Sequence, residues 1–318
     1  MRSWSAAWAS AADLFWAHQS PSDHFRTSIG DEMAERMLTE VADVDKRLGH
    51  PPEFTIIDVG AGDGDLLRRL RDLAPPELAH RLRLVGVDLR PSPDDTLDWV
   101  IGTAPDGVDL SPVVGLVMAH EWLDEIPCDV VECDAGGVVR LVLVGGDGAE
   151  TLGPPLAETA ACAEYDVDAL AASDWVNAWW PLRVPGERAE VGIARDHAWR
   201  WLAGLVRDGV ALATDYGHTM ESRRPTLVGY REGRLTAPRP DGTVNLTAHV
   251  SVDSCAAQVP GSTLYTQREM LPSVTPPPID GADGPARARA LARASTVARL
   301  RDPLGPGAFR WLRVERTS

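Results

Sequence analysis

Lysine, paired cysteine and long apolar runs are what this chain has least of. Lys46 is its only lysine, far from any glycine-rich turn, so a Walker-type phosphate loop and Schiff-base chemistry both lack their residue. Its four cysteines, Cys128, Cys133, Cys162 and Cys255, form no C-x-x-C pair and no zinc spacing. They read as reduced thiols of a cytoplasmic protein, and no metal is expected. Asp13 and His18 interrupt any apolar signal region near the start. No stretch approaches the roughly 18 consecutive apolar residues of a membrane span, so no membrane partner is expected. Excess positive charge is missing as well. A formal net charge of −16 argues against nucleic acid, whose phosphates call for a basic footprint. An acidic surface suits a cationic substrate, but ordinary solubility accounts for it equally.

What is present begins with IIDVGAGDGDLLRRL, Ile56 to Leu70. An apolar run ends in Asp58, glycines follow at Gly60, Gly62 and Gly64, and an amphipathic pattern starts at once. The spacing predicts a strand, a tight turn and a helix N-terminus, the usual cradle for a nucleotide-like ligand. A dinucleotide fold calls for G-x-G-x-x-G beneath a pyrophosphate. Here the third glycine comes one residue early, and Asp58 and Asp63 would repel a phosphate. D-x-G-x-G-x-G resembles motif I of class I S-adenosylmethionine-dependent methyltransferases, whose cofactor carries no phosphate. The following run, Leu82 to Leu89, predicts a second strand ending in Asp88, a carboxylate placed to accept both ribose hydroxyls. An NAD-dependent dehydrogenase fails on the glycine spacing.

Periodicity sketches the remainder. Helices are predicted at Trp4 to Trp16, Asp31 to Leu48, Leu66 to Leu73, Ala194 to Val206 and Ala286 to Arg301. Strands are predicted at Thr55 to Val59, Leu82 to Asp88, Trp99 to Ile101, from Val113 up to His120, Val130 to Glu132, Val138 to Val144 and up to Asp215. Further strand-like pieces lie at Thr226 to Tyr230 and Val259 to Thr266, and the closing AFRWLRVE reads as an edge strand. Pro276 to Pro285 reads as a loop. The tryptophans Trp175, Trp179 and Trp180 fit cap core better than a cation-π cage. Alternating strands and helices, with helices inserted later, describe an α/β fold: a Rossmann-like doubly wound sheet with an inserted helical cap.

Seven short motifs in order then resemble one family: HFRTS (His24 to Ser28), IIDVGAGDGDLL, AHEWLDEIP, ATDYG, TLVGYREG, NLTAHV and DPLGPGAF. Together they look like the MidA-type methyltransferases, which include the mitochondrial complex I assembly factor that methylates an arginine of a core subunit. The resemblance covers most of the chain from Phe25 onward. It implies S-adenosyl-L-methionine as cofactor and an arginine of a protein or peptide as acceptor. It also implies a segment at Phe25, Thr27 and Ser28 that closes over the cofactor. The cofactor set is then Thr27, Ser28, Asp58, Gly60, Gly62, Gly64, Asp88, His120 and Glu121. The family's N-E-x-x-D-A-x-P falls on Glu121, Asp124 and Pro127, with His120 in place of Asn and Glu125 in place of Ala. Asp215, Tyr216 and Gly217 match D-Y-G, and Arg231 matches the arginine of T-L-x-x-Y-R. His249 matches the histidine of D-L-T-A-H-V, with Asn245 in place of the acid. On this reading residues 1–50 form N-terminal helices and the covering segment, and 51–150 the cofactor-binding core. Residues 151–190 form the helical cap, and 191–318 the rest of the sheet with substrate-side insertions and the closing strand.

Methyl transfer is an in-line displacement at a sulfonium, for which an enzyme supplies chiefly alignment and desolvation. A guanidinium stays charged in water, so carboxylates that fork its other nitrogens localise the nucleophile. Glu121 and Asp124, three residues apart at the end of a predicted central strand, are the candidates. Plain alternatives are a helix cap for Glu121 and a cap or solvent position for Asp124. His249 and His120 are the histidines considered for general base work, and His249 joins Glu121 and Asp124 in the candidate catalytic set. Asp215 reads more readily as an Asx-turn into Tyr216. Two other functions stay open: a small-molecule N- or O-methyltransferase, and a non-catalytic cofactor-binding assembly factor. A homodimer stands among the expected assemblies.

Overall fold

Runs rich in Val, Ile and Leu, broken by glycine turns and amphipathic helices, assemble into a seven-stranded sheet in the computed structural model. The model describes residues 1–17, 30–92, 94–274 and 284–318. The strands are β1 Phe54–Val59, β2 Leu82–Asp88, β3 Asp98–Ile101, β4 Val113–His120, β5 Val206–Asp215, β6 Thr263–Thr266 and β7 Arg310–Arg316. They lie side by side in the order β6-β7-β5-β4-β1-β2-β3. Neighbours from β5 through β3 pair in parallel. β7 is antiparallel to both β5 and β6. The order reverses between β1 and β4, and ligands of doubly wound sheets bind at the strand C-termini of such a reversal.

Helix α1, Asp31–Arg47, and helix α2, Asp65–Leu73, cover one sheet face. The α1 stripe Met33, Met37, Val41 and Val44 packs with Leu66, Leu67 and Leu70 of α2 on Phe54, Ile56, Leu84, Leu116 and Met118. Each large side chain buried there contributes roughly 1.5–3 kcal/mol, which is what turns a polar-faced 17-residue segment into a helix. Asp31 and Glu32 in the first turn of α1, with Lys46 and Arg47 in its last, suit the helix dipole.

One expectation is overturned. The closing strand β7 is internal, flanked by β5 and β6, and β6 forms the edge. Trp311, Leu312 and Val314 are all within 1% of full burial, so successive side chains are covered on both faces, as an inner strand demands. Smaller shifts have local causes. The strand expected from Val259 is confined to Thr263–Thr266 because Val252–Gln258 is helical. The helix expected to reach Val206 is Ile193–Gly204, since Val206 already pairs with Val113 in β5. The proline loop expected at Pro276 to Pro285 lies mostly outside the described residues.

The chain falls into two compact units. The sheet just described belongs to the unit made of Phe25–His120, Trp201–Asp215 and Gly261–Ser318. The other comprises the described residues of Met1–His24, Glu121–Arg200 and Tyr216–Pro260. It contains a five-stranded antiparallel sheet of Arg2–Ser3, Asp129–Cys133, Val139–Val144, Glu150–Pro155 and Arg188–Val191. The stretch read as a helical cap supplies helices Thr159–Ala163 and Ala169–Trp179, but also strand residues on either side of them. Trp175 and Trp180 are buried with Val131, Leu141 and Val191, so they are core of this unit.

Candidate functional site

In the sheet unit, β1 delivers Asp58 to the C-terminal rim and the chain turns sharply. Gly60 and Ala61 N–H groups both donate to the Val87 carbonyl, at 2.9 and 3.1 Å, tying the loop to β2. Gly60, Gly62 and Gly64 adopt φ of 75°, 60° and 77°, a left-handed backbone that side chains with a Cβ resist. The Gly62 N–H donates to Asp88 Oδ2 at 2.9 Å, and the Arg90 N–H to Asp88 Oδ1 at 3.2 Å. Besides these two N–H groups and that of Leu89, the carboxylate keeps accepting capacity for a diol. Burial raises the Asp88 carboxyl, and these N–H groups and the Arg90 charge oppose the rise.

Two residues absent from the expected site, Trp99 and Arg90, join this cradle. The Trp99 indole lies so close over Gly86 that a Cβ there would meet the ring at 2.1 Å. Its Nε1 donates to the Arg90 carbonyl at 2.7 Å. The Arg90 guanidinium sits 3.5 Å from Asp63 and 3.7 Å from Asp88. The available signal was Gly86 inside a strand, the mark of a close approach.

Asp58 is 3% exposed. Burial, then the neighbouring Asp88 charge, pushes its carboxyl up to about 8. This pair of carboxylates, with no lysine and no phosphate nest, fits a ligand bearing a diol and positive charge. His120 ends β4, its ring 6.5 Å from Phe309. Burial brings its imidazole down to about 4, so it is neutral at pH 7. Thr27 and Ser28 lie outside the described residues.

The next residue, Glu121, belongs to the second unit and has φ 53°. A non-glycine residue held there is strained, a condition that concentrates at functional positions. The short helix that follows, Leu123–Glu125, has Trp122 at its N-cap, and that residue supplies no side-chain cap. Asp124 is 2% exposed and accepts from Thr247 Oγ1 at 2.5 Å, which excludes the solvent position. Burial, then the charges of Asp124 and Glu125, drives the Glu121 carboxyl well above its usual range. The Tyr230 phenol is raised by burial and by Asp124 and Glu121, and so keeps its proton. Asn245 Nδ2 donates to Glu125 Oε1 at 2.7 Å. Two of the three departures from the family pattern, Glu125 and Asn245, are therefore partners, with the carboxylate on the 125 side.

His249 is brought to the same neighbourhood through the backbone. The Ala248 N–H donates to the Asp124 carbonyl at 3.1 Å. Arg195, 1% exposed, donates to the carbonyls of Asp124, Ile126 and His249 at 3.0–3.1 Å. The His249 ring stacks on Tyr216 at 5.5 Å. Burial, then the Arg224 and Arg195 charges, lowers it to about 4. Such an imidazole is neutral at pH 7 and holds an abstracted proton poorly. Arg195, Tyr230, Thr247 and Glu125 went unassigned in the sequence, because their partners lie up to 123 positions away. Among the described residues no cluster of His, Cys, Asp and Glu is arranged to hold a metal. No helix among them is long and apolar enough to cross a membrane.

A parallel sheet in this strand order with β7 reversed, a glycine cradle and an acidic pair at its rim define a class I S-adenosylmethionine-dependent methyltransferase. Residues 37–263 match the family described as "Putative S-adenosyl-L-methionine-dependent methyltransferase", and the chain belongs to that family, the MidA-type methyltransferases. Its cofactor is S-adenosyl-L-methionine. Similar solved structures include an uncharacterised superfamily protein of Burkholderia thailandensis, 18% identical with a TM-score of 0.66, covering 98% of this chain and 93% of that one. A second structure of the same superfamily from that organism, bound to S-adenosyl-homocysteine, has the same identity and TM-score and covers 98% and 94%. At this identity the likeness is one of fold. No curated protein matches the chain.

A pH dependence of cofactor binding follows from Asp58. Below about pH 8 the free carboxyl keeps its proton, while a cationic ligand favours the ionised form, so binding must release that proton. Affinity for S-adenosylmethionine should climb from pH 6 to 8 by up to about tenfold per unit, then level off. Calorimetry in buffers of different ionisation enthalpy should show close to one proton released at pH 6.5, and Asp58→Asn should flatten the profile. The free protein should respond in the opposite sense. The unfolded chain gives up this proton near 3.8 and the folded chain near 8, so this group's contribution to stability falls as pH rises between them.

Proposed function

We propose that this methyltransferase acts on an arginine side chain of a protein or peptide, placing the methyl on a guanidino nitrogen. The observation that carries this reading is the grouping of Glu121, Asp124 and Glu125 in the second unit, where burial and the neighbouring carboxylates raise the Glu121 carboxyl well above its usual range. Carboxyls so confined ionise together only when a cation joins them. A guanidinium is a permanent cation with five donors in a planar fork. Two carboxylates can take its spare N–H groups and leave one nitrogen for the methyl. When bound, S-adenosylmethionine supplies an electrophilic methyl on a sulfonium. The chain's own part is to orient the guanidinium, exclude water and accept the released proton on one of the carboxylates. His120, neutral and one residue from Glu121, carries no competing charge.

The test is to incubate the protein with S-adenosylmethionine and a panel of arginine peptides, following S-adenosylhomocysteine release and peptide mass. A mass gain of one methyl, lost when arginine is replaced by lysine, supports the reading. Turnover confined to small amines or hydroxyl compounds would overturn it.

A further inference from the structure

A three-stranded antiparallel sheet in the second unit sets Arg234–Thr236, Val228–Arg231 and Asn245–Thr247 side by side in that order. Alternate residues of a strand share a face. Asn245 and Thr247 are such a pair, and they bond Glu125 at 2.7 Å and Asp124 at 2.5 Å. That face of the sheet is therefore turned onto the short acidic helix. Leu246, between them, goes the other way, into the core with Trp4 and Trp8.

Register decides what else stands on the acidic side. Tyr230 lies directly across from Asn245, and Leu235 directly across from Tyr230. Residues opposite one another in an antiparallel pair project from the same face, with Cβ atoms about 4.5–5.5 Å apart. The row thus runs Leu235, Tyr230, Asn245, with Glu125 bonded at its inner end. Exposure falls along it: Leu235 is 64% exposed, Tyr230 half-buried and Asn245 3% exposed. The tyrosine is therefore open to a ligand that the acids alone, deeper in, would draw. Burial, then the charges of Asp124 and Glu121, raise its phenol, so the ring lies within the field of that group.

What a tyrosine adds to carboxylates is a flat face. Carboxylates take a guanidinium through N–H groups in its plane and leave both faces of the plane bare. Aromatic rings attract the cation through those faces. The electron pair of a guanidinium nitrogen stands perpendicular to the plane, so a methyl has to arrive at one face, and a ring on the other fixes which. An ammonium has no plane to stack and is more strongly hydrated.

We infer that the Tyr230 ring stacks on one face of the acceptor guanidinium, making Tyr230 a substrate-binding residue that selects a planar cation over an ammonium. The inference rests on the arginine reading above and deepens it. Glu121, Asp124 and Glu125 take the edges of the guanidinium, and Tyr230 takes its face.

Nα-acetyl-arginine amide and Nα-acetyl-lysine amide, which share a backbone, test this by calorimetry on protein saturated with S-adenosylhomocysteine. Wild type should bind the arginine probe about tenfold or more tightly. Tyr230→Leu should weaken the arginine probe about tenfold and the lysine probe little, the size of one desolvated cation–π contact. Tyr230→Phe keeps the ring and should stay within about twofold of wild type. S-adenosylhomocysteine affinity should be the same in all three. NMR of protein carbon-13-labelled in its tyrosine rings gives a direct readout that needs no leucine variant. The arginine probe's δ-methylene should show an Overhauser contact to one tyrosine ring, and the contact should vanish in Tyr230→Phe. No such contact, an unchanged arginine affinity in Tyr230→Leu, equal weakening of both probes, or a phenylalanine loss as large as the leucine one would each overturn the inference and leave the arginine reading intact. A wild type that binds the lysine probe as tightly as the arginine probe, or binds neither, would overturn both.

Discussion

Asp88→Ala should lower S-adenosylmethionine affinity by roughly a hundredfold while leaving the fold in place. Asp88 is at once part of the loop and part of the ligand surface. Its oxygens accept from the Gly62 and Arg90 N–H groups, and their remaining capacity faces the ribose diol. Losing two charge-assisted hydrogen bonds to a ligand costs about 3 kcal/mol, and 1.4 kcal/mol is a factor of ten. The variant also frees the Gly62 N–H and loosens a left-handed turn that the carboxylate helps hold. Asp88→Asn should fall in between, keeping one acceptor and losing the charge. Gly62→Arg should abolish binding by another route, since φ of 60° there disfavours any side chain. Isothermal calorimetry with thermal unfolding on the same samples separates the cases: an unchanged unfolding temperature with intact affinity in Asp88→Ala would refute the assignment.

The second large effect is expected at the acids of the other unit. Glu121→Gln and Asp124→Asn should each reduce methyl transfer by about a hundredfold to a thousandfold, the usual loss for a positioned electrostatic group. S-adenosylmethionine affinity should change little in Asp124→Asn, because its carboxylate is engaged by Thr247 within its own unit. The double variant should fall well short of the product of the single effects if the two carboxylates grip one guanidinium, since groups acting as a unit are not additive. Single-turnover rates with an arginine peptide give the answer. Full additivity would mean that the two act separately and would remove the shared-cation account.

Much of this was legible in the chain because the cofactor half is written locally. Asp58, three glycines and an amphipathic helix fall within fifteen residues, and period-2 and period-3.6 patterns placed β1, β2, α1 and α2 nearly to the residue. The other unit is written non-locally. Glu125 and Asn245 each departed from the family pattern, yet only the fold shows that they are bonded across 120 positions. Arg195 sits in an unremarkable helical stretch, and nothing nearby foretells that it binds three carbonyls. The misplacement of β7 has a similar origin. A short apolar strand after a charged helix has the same pattern whether it lies at an edge or inside, and its neighbours decide.

The position of β7 bears on how the molecule is made. β5 is complete by Asp215, but the strand that covers its free side does not emerge until Arg310. During synthesis the nascent sheet therefore carries an open, apolar edge along Val210, Ala211 and Leu212 for the time it takes to make nearly a hundred further residues, and open edges recruit other strands. Each chain must survive that interval unaided or shielded. The strand that closes this edge is made long after the strand it protects.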